Sequence, residues 1–276
     1  MLTVHDSKQK VVTLQLKELF FLAGILGSDR LLGVEDPFRG YMAEDIAMEW
    51  EHVKTSLLDK GYLIQDQDSN ELTMTPTVFS RVAIAGLSDR ACWIRYSING
   101  KSHESYIHCT DERVVEVSRI EGETDSFRLS DLGNVHQAVD CLIEKMKWSG
   151  RSPAEKPALM CSKKKFYDVL NGLHDKQEQT VADELALETN DPEGSLALAR
   201  CLVNKESDGE LRLLVWGDDG WTSQSAAFTS SAVSNWLFRM STAASDDWLV
   251  AALTTREQFH EMLLDWLKQP AEEEER

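Results

Sequence analysis

The sequence predicts an α+β fold made of two quasi-two-fold-related halves, each a set of helices, then a four-strand antiparallel sheet, then a closing helix. Three observations predict it. Between Cys92 and Met146 the apolar residues Cys92, Ile94, Tyr96 and Ile98 alternate with Trp93, Arg95 and Ser97, the period-two signature of a half-buried strand. The succession that follows is hairpin, strand, strand, amphipathic helix, and it recurs from Glu210 to Leu267. Each run is also preceded by three helical segments. What repeats is the order of elements, not the letters.

In the first run Asn99-Gly100 marks a tight hairpin, because both residues tolerate positive φ. A strand over Glu104–Cys109 follows, Asp111-Glu112 turns the chain into Val114–Ser118, Gly122 breaks it, and Ser126–Leu129 is the fourth strand. Val135, Val139, Leu142, Ile143 and Met146 then line one face of a helix. Ahead of this run, residues 1–12 read as a frayed start, and Leu14, Leu16, Leu19, Phe20, Ala23 and Leu26 as a helical stripe ending at Gly27. A second helix spans Ala43 to Lys60 and stops at Gly61. Tyr62–Ile64 and Glu71–Met74 read as short strands, and Thr75-Pro76 opens a helix to Gly86 with the hydroxyl as cap. Two helices and a small hairpin outline a winged-helix-like N-terminal part. Its second helix carries Glu44, Asp45, Glu49, Glu51 and Asp59 against Lys54 and Lys60, which argues against tracking a phosphate backbone.

Lys147–Pro157, with Gly150, Pro153 and Pro157, reads as the linker. The predicted organisation is an N-terminal half over 1–148, a linker over 149–158, a C-terminal half over 159–268 and a disordered acidic tail over 269–276. Helices are expected over Lys164–Gly172 and Gln177–Glu188, and from Asp191-Pro192, cap then proline, to Val203. Leu211, Leu213 and Val215 then open a strand, Gly217-Asp218-Asp219-Gly220 turns it, and Trp221–Phe228 returns. Val233–Met240 and Trp248–Leu253 complete the second sheet, and Thr255, Phe259, Met262, Leu263, Trp266 and Leu267 supply its helix.

The balance of 29 Lys+Arg against 47 Asp+Glu leaves a net charge of −18, which repels nucleic acid and anionic lipid at long range. The basic run Lys163-Lys164-Lys165 reads as a solvated helix start. The first ten residues are polar, Leu19–Leu26 is too short to span a bilayer, and the five cysteines are scattered without a CxxC pair. These features point to a cytoplasmic protein with reduced, buried thiols. The seven histidines show neither HExxH nor zinc-finger spacing, and GxSxG, GxxxxGK[ST] and GxGxxG are all missing. His108-Cys109 are adjacent on one strand and point to opposite faces, so they read as a partly exposed histidine beside a core thiol. No catalytic residue, metal ligand or cofactor site is therefore expected. The aromatic residues are the better lead. Trp216, Trp221, Trp236 and Trp248 fall in the second sheet, and Trp236, Phe238 and Met240 share one face of its third strand. Core packing explains such residues. So does a surface that grips a partner, with Trp216, Trp221, Trp236 and Phe238 as its anchors.

The stretches "LQLKELFFLAGILG", "LLDKGYLI", "CWIRYSINGK", "RVVEVSRI" and "NVHQAVDCLIEKM", in this order of elements, resemble the EspG family of cytosolic chaperones for type VII (ESX) secretion. The resemblance implies a non-enzymatic protein that binds the tip of a helical substrate hairpin, keeps it soluble and is not exported. Family members engage PE–PPE pairs through a sheet loop and a C-terminal helical bundle. Here the turn Thr110–Arg113 is too short for a prominent gripping loop, so that site is not carried over. The leading expectation is a chaperone for a helical protein substrate. An acidic immunity or antitoxin protein that neutralises a basic toxin, and a winged-helix regulator, stand as alternatives.

Overall fold

The computed structural model describes residues 11–28, 30–123, 125–150, 156–241 and 246–269. Residues 1–10 of the expected frayed start, the centre of the expected linker and residues 270–276 of the acidic tail lie outside the described residues, whereas Val11 and Val12, expected to fray, are held in a strand because they pair with Ser130 and Leu129. The chain opens with strand β1 (Val11–Gln15), where buried Val12 and Leu14 alternate with exposed neighbours. It ends where the Glu18 carboxylate accepts the Gln15 N–H at 2.7 Å and starts helix α1 (Leu16–Ile25). Leu14 thus belongs to a strand, correcting the stripe that began there. Its ladder partner is Phe127, more than a hundred positions away and invisible to local periodicity.

Helix α2 (Ala43–Asp59) buries Val53 and Leu57 and stops at Gly61, whose φ is +66°. Strands β2 (Leu63–Gln65) and β3 (Leu72–Met74) form the small hairpin, and α3 (Pro76–Leu87) follows with proline in its first turn. The Thr75 hydroxyl does not cap α3. The Tyr62 carbonyl accepts both that hydroxyl, at 3.5 Å, and the Thr75 N–H, at 3.0 Å, so the residue is tied to the end of the hairpin. Next come β4 (Arg90–Ile98), β5 (Lys101–Cys109), β6 (Val114–Arg119), β7 (Ser126–Gly133) and α4 (Val135–Lys145). Between β4 and β5, Asn99 and Gly100 take φ of +52° and +76°, the mirror-image turn that matches strand twist.

A three-residue strand, β8 (Leu159–Cys161), precedes α5 (Lys163–Asn171) and is too short to show a period. A 3-10 turn, α6 (Glu178–Thr189) and α7 (Pro192–Val203) follow, and the Asp191 carboxylate accepts the Gly194 N–H at 2.9 Å as the cap of α7. Then come β9 (Lys205–Gly217), β10 (Gly220–Ser231), β11 (Asn235–Met240), β12 (Leu249–Leu253) and α8 (Arg256–Lys268). β9 starts six residues earlier than its apolar alternation indicates, and β11 starts at Asn235 because Ser231–Ser234 form a turn. Four strands and a helix thus occur twice.

Among the described residues, 11–91 and 105–135 form one compact unit, and 92–104 with 136–269 the other. In the first unit the antiparallel order is β1-β7-β6-β5. Val12, Leu14, Val115, Val117, Phe127 and Leu129 pack there against α1, α2 and α3. In the second unit the order is β4-β9-β10-β11-β12-β8. One face of β10–β12 packs its Trp236, Phe238, Leu249 and Ala251 under α5, α6 and α7. The other face turns Phe228 to Trp148 and Phe259, whose rings stack 3.7 Å apart.

Candidate protein-binding surface

Within the second unit, β9 and β10 run past β11: residues 220–226 of β10 pair with β9 and not with β11. The turn between them is Asp218-Asp219, and Gly220, at φ +98°, closes it. The ladder sets Trp216 directly opposite Trp221, with rings in a T-shaped contact 5.3 Å apart, and both stay half-buried. Alternation places Glu210, Arg212 and Leu214 on the Trp216 face, opposite Ser225 and Ser223 of β10. The other face carries buried Leu211, Leu213 and Ala226.

β4 continues this face. The Trp93 ring lies beneath two guanidinium groups, Arg95 at 5.3 Å and Arg212 at 4.9 Å, and its indole N–H donates to the Glu104 carboxylate at 2.7 Å. Arg95 in turn pairs with Glu210 at 3.4 Å while remaining half-exposed. The result is a mosaic of aromatic rings and compensated charges, suited to a partner with both apolar and polar groups. The packing is close: a Cβ on Gly209 would strike the Arg95 carbonyl and sit 2.8 Å from the Tyr96 Cα.

The four anchors inferred from sequence divide. Trp216 and Trp221 come together on the accessible hairpin. Trp236 and Phe238 do share a strand face, but at 0% and 4% exposure they lie inside the core, with the Phe238 ring 5.1 Å from Phe166 of α5. A partner cannot reach them unless α5 moves. Trp93 and Arg95 were read from the sequence only as alternating positions of a half-buried strand, and Arg212 was not singled out; a Trp and an Arg two apart on one strand face were the available signal.

His108 differs from expectation. It is buried, its Nδ1 shares a hydrogen bond with the Ser88 hydroxyl at 3.2 Å, and burial pushes its pKa down to about 4. The reason is that α3 ends directly above it. Burial pushes the neighbouring Cys109 thiol up to about 12, so the pair offers no activated nucleophile.

No family model matches the sequence, and no curated protein matches it. Among solved structures the chain is similar to the Mycobacterium tuberculosis type VII secretion system chaperone EspG5, solved in complex with the PE25–PPE41 dimer. The TM-score is 0.60 at 10% identity, with 94% of each chain covered. The likeness is one of fold. It extends along nearly the whole of both chains, as the resemblance to the EspG family implies. Against that background the β5–β6 turn is tight: the Thr110 N–H donates to the Arg113 carbonyl at 2.9 Å. Among the described residues no three His, Cys, Asp or Glu side chains converge as metal ligands, and no helix is long and apolar enough to cross a membrane.

Proposed function

We propose that this protein is a non-enzymatic chaperone that binds a helical secretion substrate in the cytoplasm and keeps it soluble. The observation that carries the reading is the shared fold with EspG5, a chaperone solved with a bound protein dimer, over 94% of each chain. The proposed seat for the client is the exposed face of β4, β9 and β10, with Trp216 and Trp221 as anchors and the Trp93–Arg95–Arg212 stack beside them. Tryptophan and arginine are the residues that most often dominate binding energy at interfaces, and a ring pair on a projecting hairpin offers apolar area at small entropic cost. The net charge of −18 keeps the loaded complex dispersed. No nucleic acid, membrane or cofactor enters the proposal.

The test is affinity capture from host lysate at low and at high salt, followed by expression of the captured client with and without this chain. A helical protein retained in high salt, and soluble only when co-expressed, supports the reading. A basic toxin domain released by salt would favour the immunity-protein alternative, because exposed ion pairs are screened while apolar contacts are not. A client equally soluble alone would sink the chaperone role.

A further inference from the structure

In the second unit a cavity of about 330 Å³ opens where α5 and α7 meet the sheet. That lies within the usual size range of small-molecule sites. Its walls are largely apolar, with Phe166, Leu170, Leu173, Phe238 and Met240 among them, while Ser97, Ser102 and Tyr167 add polar groups. Its rim charges are already matched: Arg95 pairs with Glu210 and Lys205 with Asp208, so no net charge awaits an ion. On the sheet side stands Thr229, on the same strand face as Ala227, which also lines the cavity. The Thr229 residue is 2% exposed and its hydroxyl has no hydrogen-bond partner. Directly across the ladder the fully buried Trp236 indole N–H lacks an acceptor as well.

Buried hydroxyls are almost always bonded, and an unmet donor in an apolar wall is costly. We propose that this cavity binds a small uncharged molecule with an apolar body and a single carbonyl, as in a ketone, ester or amide, which accepts the Thr229 hydroxyl proton. A charged ligand is disfavoured, because its head would be desolvated against aromatic and aliphatic walls with no counter-charge. An acceptor-free hydrocarbon would fill the space and leave the hydroxyl unmet. Arg95 at its rim also belongs to the proposed client seat, but Trp216 and Trp221 do not line the cavity, and the proposal does not depend on the chaperone reading.

The experiment uses the full chain and two fluorinated probes followed by fluorine NMR titration. One is 4′-fluoroacetophenone; the other is 4-fluoro-α-methylstyrene, in which a methylene replaces the carbonyl oxygen. The ketone should bind saturably and about tenfold more tightly than the alkene, the ratio expected for one added hydrogen bond. Thr229→Val, close in shape, should reduce the ketone to the alkene's affinity and leave the alkene unchanged, while Thr229→Ser should restore the preference. Ala227→Phe should block both probes, with circular dichroism confirming that each variant is folded. Equal binding of the two probes, a preference that survives Thr229→Val, ketone binding unaffected by Ala227→Phe, or no binding of either probe (a cavity that holds water only) would each overturn the proposal.

Discussion

At the scale of single residues, environment rather than identity decides what a side chain does, and the tryptophans make the point. Trp236 on β11 and Trp216 on β9 sit two strands apart in one sheet, yet one is wholly buried and the other half-exposed. Trp236→Ala should cost about 3–5 kcal/mol of stability, the usual penalty for emptying a large core site. Trp216→Ala and Trp221→Ala should leave the urea midpoint nearly unchanged and weaken client binding by tenfold or more, an effect of roughly 1.4 kcal/mol or more each. If the surface variants unfold the protein and bind as before, the assignment of the binding face is wrong. His108 gives a pH prediction. Its pKa is about 4 in the folded state and 6.5 when unfolded, so the unfolded chain binds the extra proton between those values. Stability is therefore complete above pH 6.5 and declines as pH falls toward 4, by up to about 3 kcal/mol. The upper part of that window precedes ordinary carboxylate titration and isolates the imidazole. In His108→Gln, unfolding free energies measured between pH 7 and 5 should be flatter than in the parent.

Elements were legible in proportion to how local their causes are. The Asn99-Gly100 turn, the Asp218-Asp219 turn and the Asp191 cap with proline behind it were all readable from adjacent residues. β1 and β8 were not. One merges into a leucine-rich stripe, and the other is only three residues long and defined by pairing with β12. The start of α5 shows the same limit more sharply. Its cap Ser162 donates to the Asp247 carboxylate at 2.5 Å, and the Lys164 N–H donates to the same carboxylate at 2.9 Å, across more than eighty positions of sequence. These bonds, the Ser162 hydroxyl first, hold the Asp247 pKa below the usual carboxylate range. Nothing adjacent to Asp247 in the sequence marks it for that role. For the β4–β9 strand pair, Gly209→Ala is the informative substitution: the added methyl would meet the Arg95 carbonyl, so a backbone must shift. A loss of about 1–3 kcal/mol is expected, read as a lower urea midpoint with unchanged slope. An unchanged midpoint would mean that the two strands are held less closely.

For the whole molecule, the thiols report on how completely the interior is closed. Cys92, Cys109, Cys161 and Cys201 are buried and Cys141 is half-buried. Burial pushes Cys109 up to about 12 and Cys161 up to about 11, and it raises Cys201 as well. A thiol-reactive dye at pH 8 should thus label Cys141 first, and label the other four only on the timescale of unfolding. Rapid labelling of two or more thiols in native protein would mean that one of the units opens readily. The acidic surface acts at this same scale: a chain of net charge −18 stays dispersed while a small aromatic face remains exposed.

By itself the sequence determined the mixed α+β class, the repeated order of four strands and a helix, most turns and caps, and the lack of any familiar catalytic motif. These follow from periodicities and turn preferences that act over a few neighbouring residues. The tertiary structure alone decided which aromatic residues are reachable, where His108 is buried, how Asp247 caps a distant helix and that Thr229, whose buried hydroxyl is unmet, lines a cavity. Each of these depends on which element covers which sheet face. That is a property of contacts between residues far apart in the chain, and no short window of sequence contains it.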